Sequence, residues 1–194
     1  MAMWAFGASR TLDYLQTISE IDKSRIAIMG HSRLGKAALW CGALDERFSL
    51  VVSNESGGGG AALFRGKSGE QLKNLNSPGA SIWFCRNLFK YVGAENKMPF
   101  DQHFLLSLIA PRHLYVCSAK DDSWADPKSE FLSCVAASPV YQLLGFEGLA
   151  CTDWPKLKEG YQQGRIGYHM RPGTHYLSRD DWNLVIAYRN KHKV

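Results

Sequence analysis

Short apolar runs that end in Gly, Asn or a charged residue alternate along this chain with stretches of helical periodicity. Leu12, Leu15 and Ile18 recur at helical spacing and predict a helix over 1–18. Arg25-Ile-Ala-Ile-Met-Gly30 has the form of a buried parallel strand, apolar on both faces as in the middle of a sheet. An apolar helix is predicted over Lys36 to Leu44 and a second strand over Phe48 to Ser53. Further strands are predicted over Arg112 to Ser118 and Tyr168 to Arg171, with a helix from Ser129 to Ala137 between them. The stretch from Gly57 to Pro99 is mixed and predicts excursions at the strand ends. Strands that alternate with helices in this way predict an α/β fold with a mostly parallel sheet between two helical layers.

The composition narrows the class. The chain has 194 residues, enough for one domain with a core, and 45% hydrophobic with 21% charged residues is ordinary for a globular protein. No apolar run approaches the ~20 residues of a membrane span. The net charge is +5, but Lys and Arg are scattered, so the charge reads as a solvated surface and not as a nucleic-acid footprint. Aromatic residues reach 12% and include six Trp, which suits a packed core and also a carbohydrate surface. The cysteines are Cys41, Cys85, Cys117, Cys134 and Cys151. Their number is odd and no C-x-x-C occurs, so neither a zinc site nor a disulfide framework is signalled, and most are expected to be free buried thiols.

In open α/β sheets ligands bind beyond the carboxyl ends of the strands. Ser32, Glu55, Asp122 and His175 each follow a predicted strand. Gly30-His-Ser32-Arg-Leu-Gly35-Lys36 joins a strand to a helix, the setting of a nucleophile elbow, where a sharp turn lifts a serine hydroxyl above the sheet. The G-x-S-x-G pattern is not strict, because Leu34 holds the second Gly position and Gly35 comes one residue later. His175, in Gly173-Thr-His175-Tyr, is the candidate base, since the order Ser, acid, His is that of α/β hydrolases. Asp122 and Glu55 compete for the acid that orients it.

These segments together resemble the glucuronoyl esterases, carbohydrate esterase family fifteen. Gly30-His-Ser-Arg-Leu-Gly-Lys36 matches the family's G-x-S-R-x-G-K motif. Asn54-Glu55-Ser-Gly-Gly-Gly-Gly60 resembles its glycine-rich acidic segment. Asp101-Gln-His103 with Ala110-Pro-Arg112 resembles the approach to the next strand, and Asp122-Ser-Trp124-Ala-Asp-Pro127 the tryptophan loop. Gly173-Thr-His175 with Asp181-Trp182 resembles the histidine loop. The resemblance runs from about Trp4 to Asp181. It implies an α/β-hydrolase fold, no metal and no cofactor, and cleavage of esters between glucuronic acid on xylan and lignin alcohols. It implies Ser32 as nucleophile, His175 as base, and Arg33 as oxyanion donor through its N–H and guanidinium. Lys36 and Glu70 would hold sugar hydroxyls and Trp124 would contact the uronate. Glu55 and Asp122 both match acidic positions used in the family.

The departures define further expectations. Ala80-Ser-Ile-Trp-Phe84 stands where a Phe-Pro-His-Trp-Phe run is expected. One predicted helix precedes the strand of the nucleophile, where the family has several strands. Residues 1–194 are therefore expected to be the C-terminal part of a catalytic domain, with upstream strands and any leader outside this chain. The resemblance implies a secreted or periplasmic enzyme acting on a glucuronate-bearing polysaccharide ester, with no nucleic-acid, membrane or obligate protein partner. An acetylxylan esterase is the alternative within enzymes, and an inactive or carbohydrate-binding remnant is the alternative outside them.

Overall fold

A computed structural model describes residues 1–66, 68–157 and 159–194. The elements run α1 (Ala2–Leu15), β1 (Ala27–His31), α2 (Arg33–Leu44), β2 (Leu50–Asn54), α3 (Leu72–Leu75) and α4 (Gln102–Ser107). They continue with β3 (His113–Ala119), α5 (Pro127–Leu143), β4 (Gly160–Tyr161), β5 (Ile166–Arg171) and α6 (Arg179–His192). The strands form one sheet in the order β1-β2-β3-β5-β4. All neighbours pair in parallel except β4, which runs antiparallel to β5.

The two-residue period of the strands sorts the core into two halves. Val51 on β2, Leu114 and Val116 on β3, and Ile166, Tyr168 and Met170 on β5 pack with Leu39 of α2 and with Phe131, Cys134 and Tyr141 of α5. Leu50, Val52, Tyr115 and Cys117 face the opposite way, against Val185 and Tyr188 of α6. Helix α1 adds a further layer on α2, through Ala5, Leu12 and Cys41. The result is helix, sheet, helix, as the α/β pattern requires.

Three boundaries differ from expectation for physical reasons. The strand read from Arg25 begins at Ala27, because Lys23–Arg25 closes a 3₁₀ turn capped by Asp22. The helix read as Ser129 to Ala137 begins at Pro127, with Asp126 accepting from the Ser129 N–H, and runs through Pro139 to Leu143 while Tyr141 stays buried. Helix α6 is hidden in the sequence by an unbroken apolar run from Leu184 to Tyr188 without helical spacing; only Asp181, Val185 and Tyr188 are buried, and Ser178 and Asp181 form a capping box that starts it.

β1, apolar in the manner of a strand in the middle of a sheet, lies at one end of the order with Ala27 exposed and β2 as its partner, in keeping with a strand that lacks a neighbour on one side within these residues. Among the described residues its other edge carries no strand. Cys41, Cys117 and Cys134 are buried and Cys85 is exposed, and all five cysteines are free thiols. No helix among the described residues is long and apolar enough to cross a membrane.

Candidate active site

The turn after β1 is built around Ser32, whose φ of 57° and ψ of −126° lie where non-glycine residues are rare. Its N–H donates to the Asn54 carbonyl at 2.8 Å, and its own carbonyl accepts from the N–H groups of Gly35 and Lys36 as α2 begins. A Cβ on Gly30 would sit 2.1 Å from the Leu34 carbonyl oxygen, and one on Gly35 would sit 3.0 Å from the Gly30 carbonyl oxygen. The late position of the second glycine therefore serves the elbow: Gly35, not residue 34, is where the helix touches the strand. Helix α2 starts directly after Ser32, so its first N–H groups lack intrahelical acceptors and face the serine.

His175 reaches this serine from the loop after β5. Its Nε2 lies 2.9 Å from Ser32 Oγ, and its Nδ1 lies 2.6 Å from Asp122 Oδ2. Glu55 Oε2 lies 3.4 Å from the same Nδ1 and accepts the Tyr176 N–H at 3.1 Å. The sequence favours Asp122 slightly, since the acid of this fold commonly follows the strand before the histidine loop; the geometry gives Asp122 the hydrogen bond and Glu55 a place beside it. The His31 ring packs against His175 at a centroid distance of 4.6 Å, tilted by 41°, and bonds the Asn54 side chain through Nδ1 at 2.6 Å.

The electrostatics follow from these contacts. The hydrogen bond to Asp122, with the Glu55 carboxylate close beside the ring, pushes His175 up to about 10. Burial pushes Asp122 up, but the hydrogen bonds from His175 and the Ala125 N–H outweigh it and hold the carboxyl below its usual range. Burial keeps Glu55 above the usual range, although His175 and Arg171 pull it down. Burial also lowers His31 and favours its neutral form beside a cationic His175.

Seven of the eight residues singled out by sequence line one cleft of about 280 Å³: Ser32, Arg33, Lys36, Glu55, Glu70, Trp124 and His175. Asp122 is buried behind the imidazole. Lys36 is not a solvated residue at the start of a helix. It is buried, and its Nζ bonds the Gly58 carbonyl and Glu70 Oε2, each at 2.5 Å. The Glu70 N–H donates to the Trp124 carbonyl at 2.7 Å, so the loops carrying the cleft's acid and indole are tied together. Buried carboxylates fix these loops from below. Glu130 accepts from the Gly57 N–H and the Ser118 hydroxyl, and Asp126 accepts from the Ser68 N–H.

Sequence reasoning missed two residues. Trp83 lines the cleft and carries the Arg33 guanidinium over its ring at 5.2 Å. Its signal was the Trp-Phe pair retained in an otherwise divergent run. Arg171 is the largest fully buried side chain and bonds Glu55 and Asp181. Its signal was a lone cation closing an apolar strand.

Among the described residues two clusters offer metal-ligand atoms within 4.8 Å of one another: Glu55, Asp122 and His175, and Cys117, His169 and Asp181. In both, the histidine is already hydrogen-bonded to a carboxylate. The first set faces a serine hydroxyl through Nε2, which suits proton transfer.

Comparison with known proteins gives one family. A family model described as fungal glucuronyl esterase matches residues 1–145. A carbohydrate esterase from an unknown prokaryotic organism is 45% identical over 192 residues, covering 99% of this chain and 44% of that protein. The 4-O-methyl-glucuronoyl methylesterase 1 of Phanerochaete chrysosporium is 37% identical over 153 residues, 75% of this chain and 32% of that protein. Among solved structures, a glucuronoyl esterase from Solibacter usitatus superposes with a TM-score of 0.90 at 47% identity, over 96% of this chain and 47% of that one. The chain thus spans less than half the length of these relatives.

Proposed function

The chain belongs to the glucuronoyl esterase family, carbohydrate esterase family fifteen, and from that premise we propose that residues 1–194 form the part of an α/β-hydrolase catalytic domain that holds its serine, base and acid. The reaction is hydrolysis of esters of glucuronic acid of the glucuronoxylan–lignin type through an acyl-enzyme. The observation that carries this reading is the continuous relay Ser32–His175–Asp122 at 2.9 and 2.6 Å, opening into a cleft whose walls are charged and aromatic.

In this reading Ser32 Oγ attacks the ester carbonyl while His175 Nε2 takes its proton. Asp122 holds Nδ1–H and stabilises the imidazolium, and Glu55 supports it from the side. The developing oxyanion meets the first N–H of α2 and the Arg33 guanidinium. His175 then gives its proton to the departing alcohol. Water, activated by the same imidazole, cleaves the acyl-serine and releases the uronic acid. Lys36 and Glu70 serve as a paired donor and acceptor for sugar hydroxyls, and the half-exposed Trp124 offers an indole face and N–H. No cofactor takes part in these steps. A glucuronate-bearing polysaccharide ester lies outside the cell, so the family assignment favours a secreted or periplasmic enzyme.

The test is hydrolysis of benzyl glucuronate and of an aryl acetate by the full-length protein and by Ser32→Ala. Turnover of the glucuronate ester that disappears in the variant is expected. Preference for the acetate would replace this reading with that of an acetylesterase, and no turnover of either ester would replace it with that of an inactive remnant.

A further inference from the structure

The period-2 alternation of β5 sends His169 and Arg171 to the face covered by α6, away from the apolar side where Ile166, Tyr168 and Met170 pack. Arg171 is 1% exposed, and every described polar contact of its guanidinium is internal. Nε donates to Asp181 Oδ2 at 2.8 Å, and Nη1 donates to the Pro172 carbonyl at 3.0 Å. Nη2 donates to Glu55 Oε1, to the Tyr176 carbonyl, and to the Thr174 carbonyl at 3.1 Å. The Tyr176 ring covers the guanidinium at 4.0 Å. The two carbonyls belong to the residues immediately before and after His175.

We propose that Arg171 is the positioning residue of the catalytic base: it grips the histidine loop on both sides of His175 and keeps Glu55 ionised against that ring. This rests on the reading of His175 as the base. Asp181 holds Arg171 itself and is anchored in turn at two points. Asp181 is fully buried, bonds His169 Nε2 through Oδ1 at 2.8 Å, and accepts the Ser178 N–H and hydroxyl as the cap of α6. The base is thereby registered against α6 and the sheet, although its own ring stands on an exposed loop. A fork with several donors is needed for this, because Glu55, Asp181 and three carbonyls lie in different directions.

The charges that face His175 are Asp122 from the loop after β3 and Glu55 from the end of β2, with the His31 ring packed against it from the end of β1. Arg171 acts on it through Glu55. Without the guanidinium, a buried Glu55 has only the imidazole to balance it, and burial favours its neutral acid. The imidazolium then loses one of two supporting carboxylates.

The experiment uses the full-length enzyme and follows the His175 ring by NMR titration beside steady-state kinetics on an activated aryl ester. Arg171→Met is expected to lower the midpoint of His175 and to reduce kcat about tenfold or more with KM within about twofold. Glu55→Gln should lower the midpoint similarly, and the double variant should lower it no further. Arg171→Lys keeps the charge but not the fork; it should hold the midpoint near wild type while kcat still falls. If Arg171→Met does not fold, Arg171→Lys beside Glu55→Gln carries the test: the first should hold the midpoint while kcat falls, and the second should lower the midpoint. An unchanged midpoint in Arg171→Met, an additive double variant, or a loss in Arg171→Lys that is entirely in KM would overturn the proposal. Loss of all activity in wild type while the midpoints shift as stated would overturn the esterase reading and leave the clamp standing.

Discussion

Asp122 Oδ2 approaches His175 Nδ1 to 2.6 Å, whereas the other carboxylate beside that ring, Glu55, stays at 3.4 Å and is engaged by Arg171. The two acids therefore have different work. Asp122→Asn replaces the acceptor that fixes the imidazole tautomer, and it is expected to cut kcat by about 10²-fold or more. Glu55→Gln removes a supporting charge and is expected to cost less. Steady-state kinetics of the two variants decide the order, and a larger loss for Glu55→Gln would exchange the roles.

The same pair sets the pH profile. His175 sits at about 10 in the folded protein, above its ordinary value of about 6.5. The imidazolium cannot accept the serine proton, so kcat/KM should rise with pH along a limb displaced to the alkaline side of 6.5. Either carboxamide variant removes a group that favours the charged ring, and so should move the limb to lower pH. For stability the raised value means a contribution that is complete below about 6.5 and is lost as pH rises through about 10. Denaturation midpoints of wild type and Asp122→Asn should therefore differ more at pH 6 than above pH 10.

Ser32→Ala should abolish turnover and leave the fold intact. The side chain accounts for the chemistry, while the turn depends on the backbone bonds to Asn54, Gly35 and Lys36. Circular dichroism beside an ester assay checks both halves. Gly30→Ala should do the opposite and damage folding, since its methyl would meet the Leu34 carbonyl.

The relay was legible in the sequence because each member sits just past a strand, where an α/β sheet gathers its chemistry. Ser32, Glu55 and His175 follow β1, β2 and β5 by a few residues or fewer, and Asp122 follows β3 in the same way. The sequence ordered Asp122 over Glu55 only slightly, because both acids follow a strand and both loops end near the imidazole; the Arg171 contact that engages Glu55, whose backbone is left-handed at φ 47°, is visible only in the fold. Arg171 itself was hidden by appearing as the polar end of an apolar strand. Helix α6 was hidden because its apolar residues run consecutively from Leu184 to Tyr188 and show no helical spacing. The open edge of β1 was legible too: the strand is apolar on both faces and only one predicted helix precedes it, so a neighbour on one side was not expected within these residues.

That edge has a consequence. β1 pairs with β2 alone among the described strands, and α1 exposes Met3, Phe6 and Tyr14 close by in sequence. An open edge beside apolar side chains favours intermolecular pairing. The 194-residue chain by itself is expected to self-associate, as measured by light scattering across a concentration series. A monodisperse monomer with a single sharp unfolding transition would show that the edge is adequately protected as it stands.

In the proposed reaction, substrate choice would turn on Lys36 and Trp124. The Lys36 ammonium is buried against Glu70 and the Gly58 carbonyl, and burial lowers its pKa, so the cation is held in the cleft and not at the surface. Trp124 stands on the opposite loop, joined to the Glu70 backbone, with its indole half exposed to the same space. A uronate brings ring hydroxyls and a flat sugar face to these groups; an acetyl group brings neither. Lys36→Met keeps much of the buried volume and removes the donor, and Trp124→Ala removes the indole. Each should cost about 1–3 kcal/mol in kcat/KM for benzyl glucuronate, since a polar partner is left unsatisfied or a stacked face is lost. Turnover of an aryl acetate should change by less than about threefold, because the relay at Ser32 is untouched. Lys36→Met also leaves Glu70 without its cation, so Lys36→Met/Glu70→Gln should recover stability without recovering glucuronate turnover. Parallel losses on both esters would mean that the two residues support the loops and do not read the sugar.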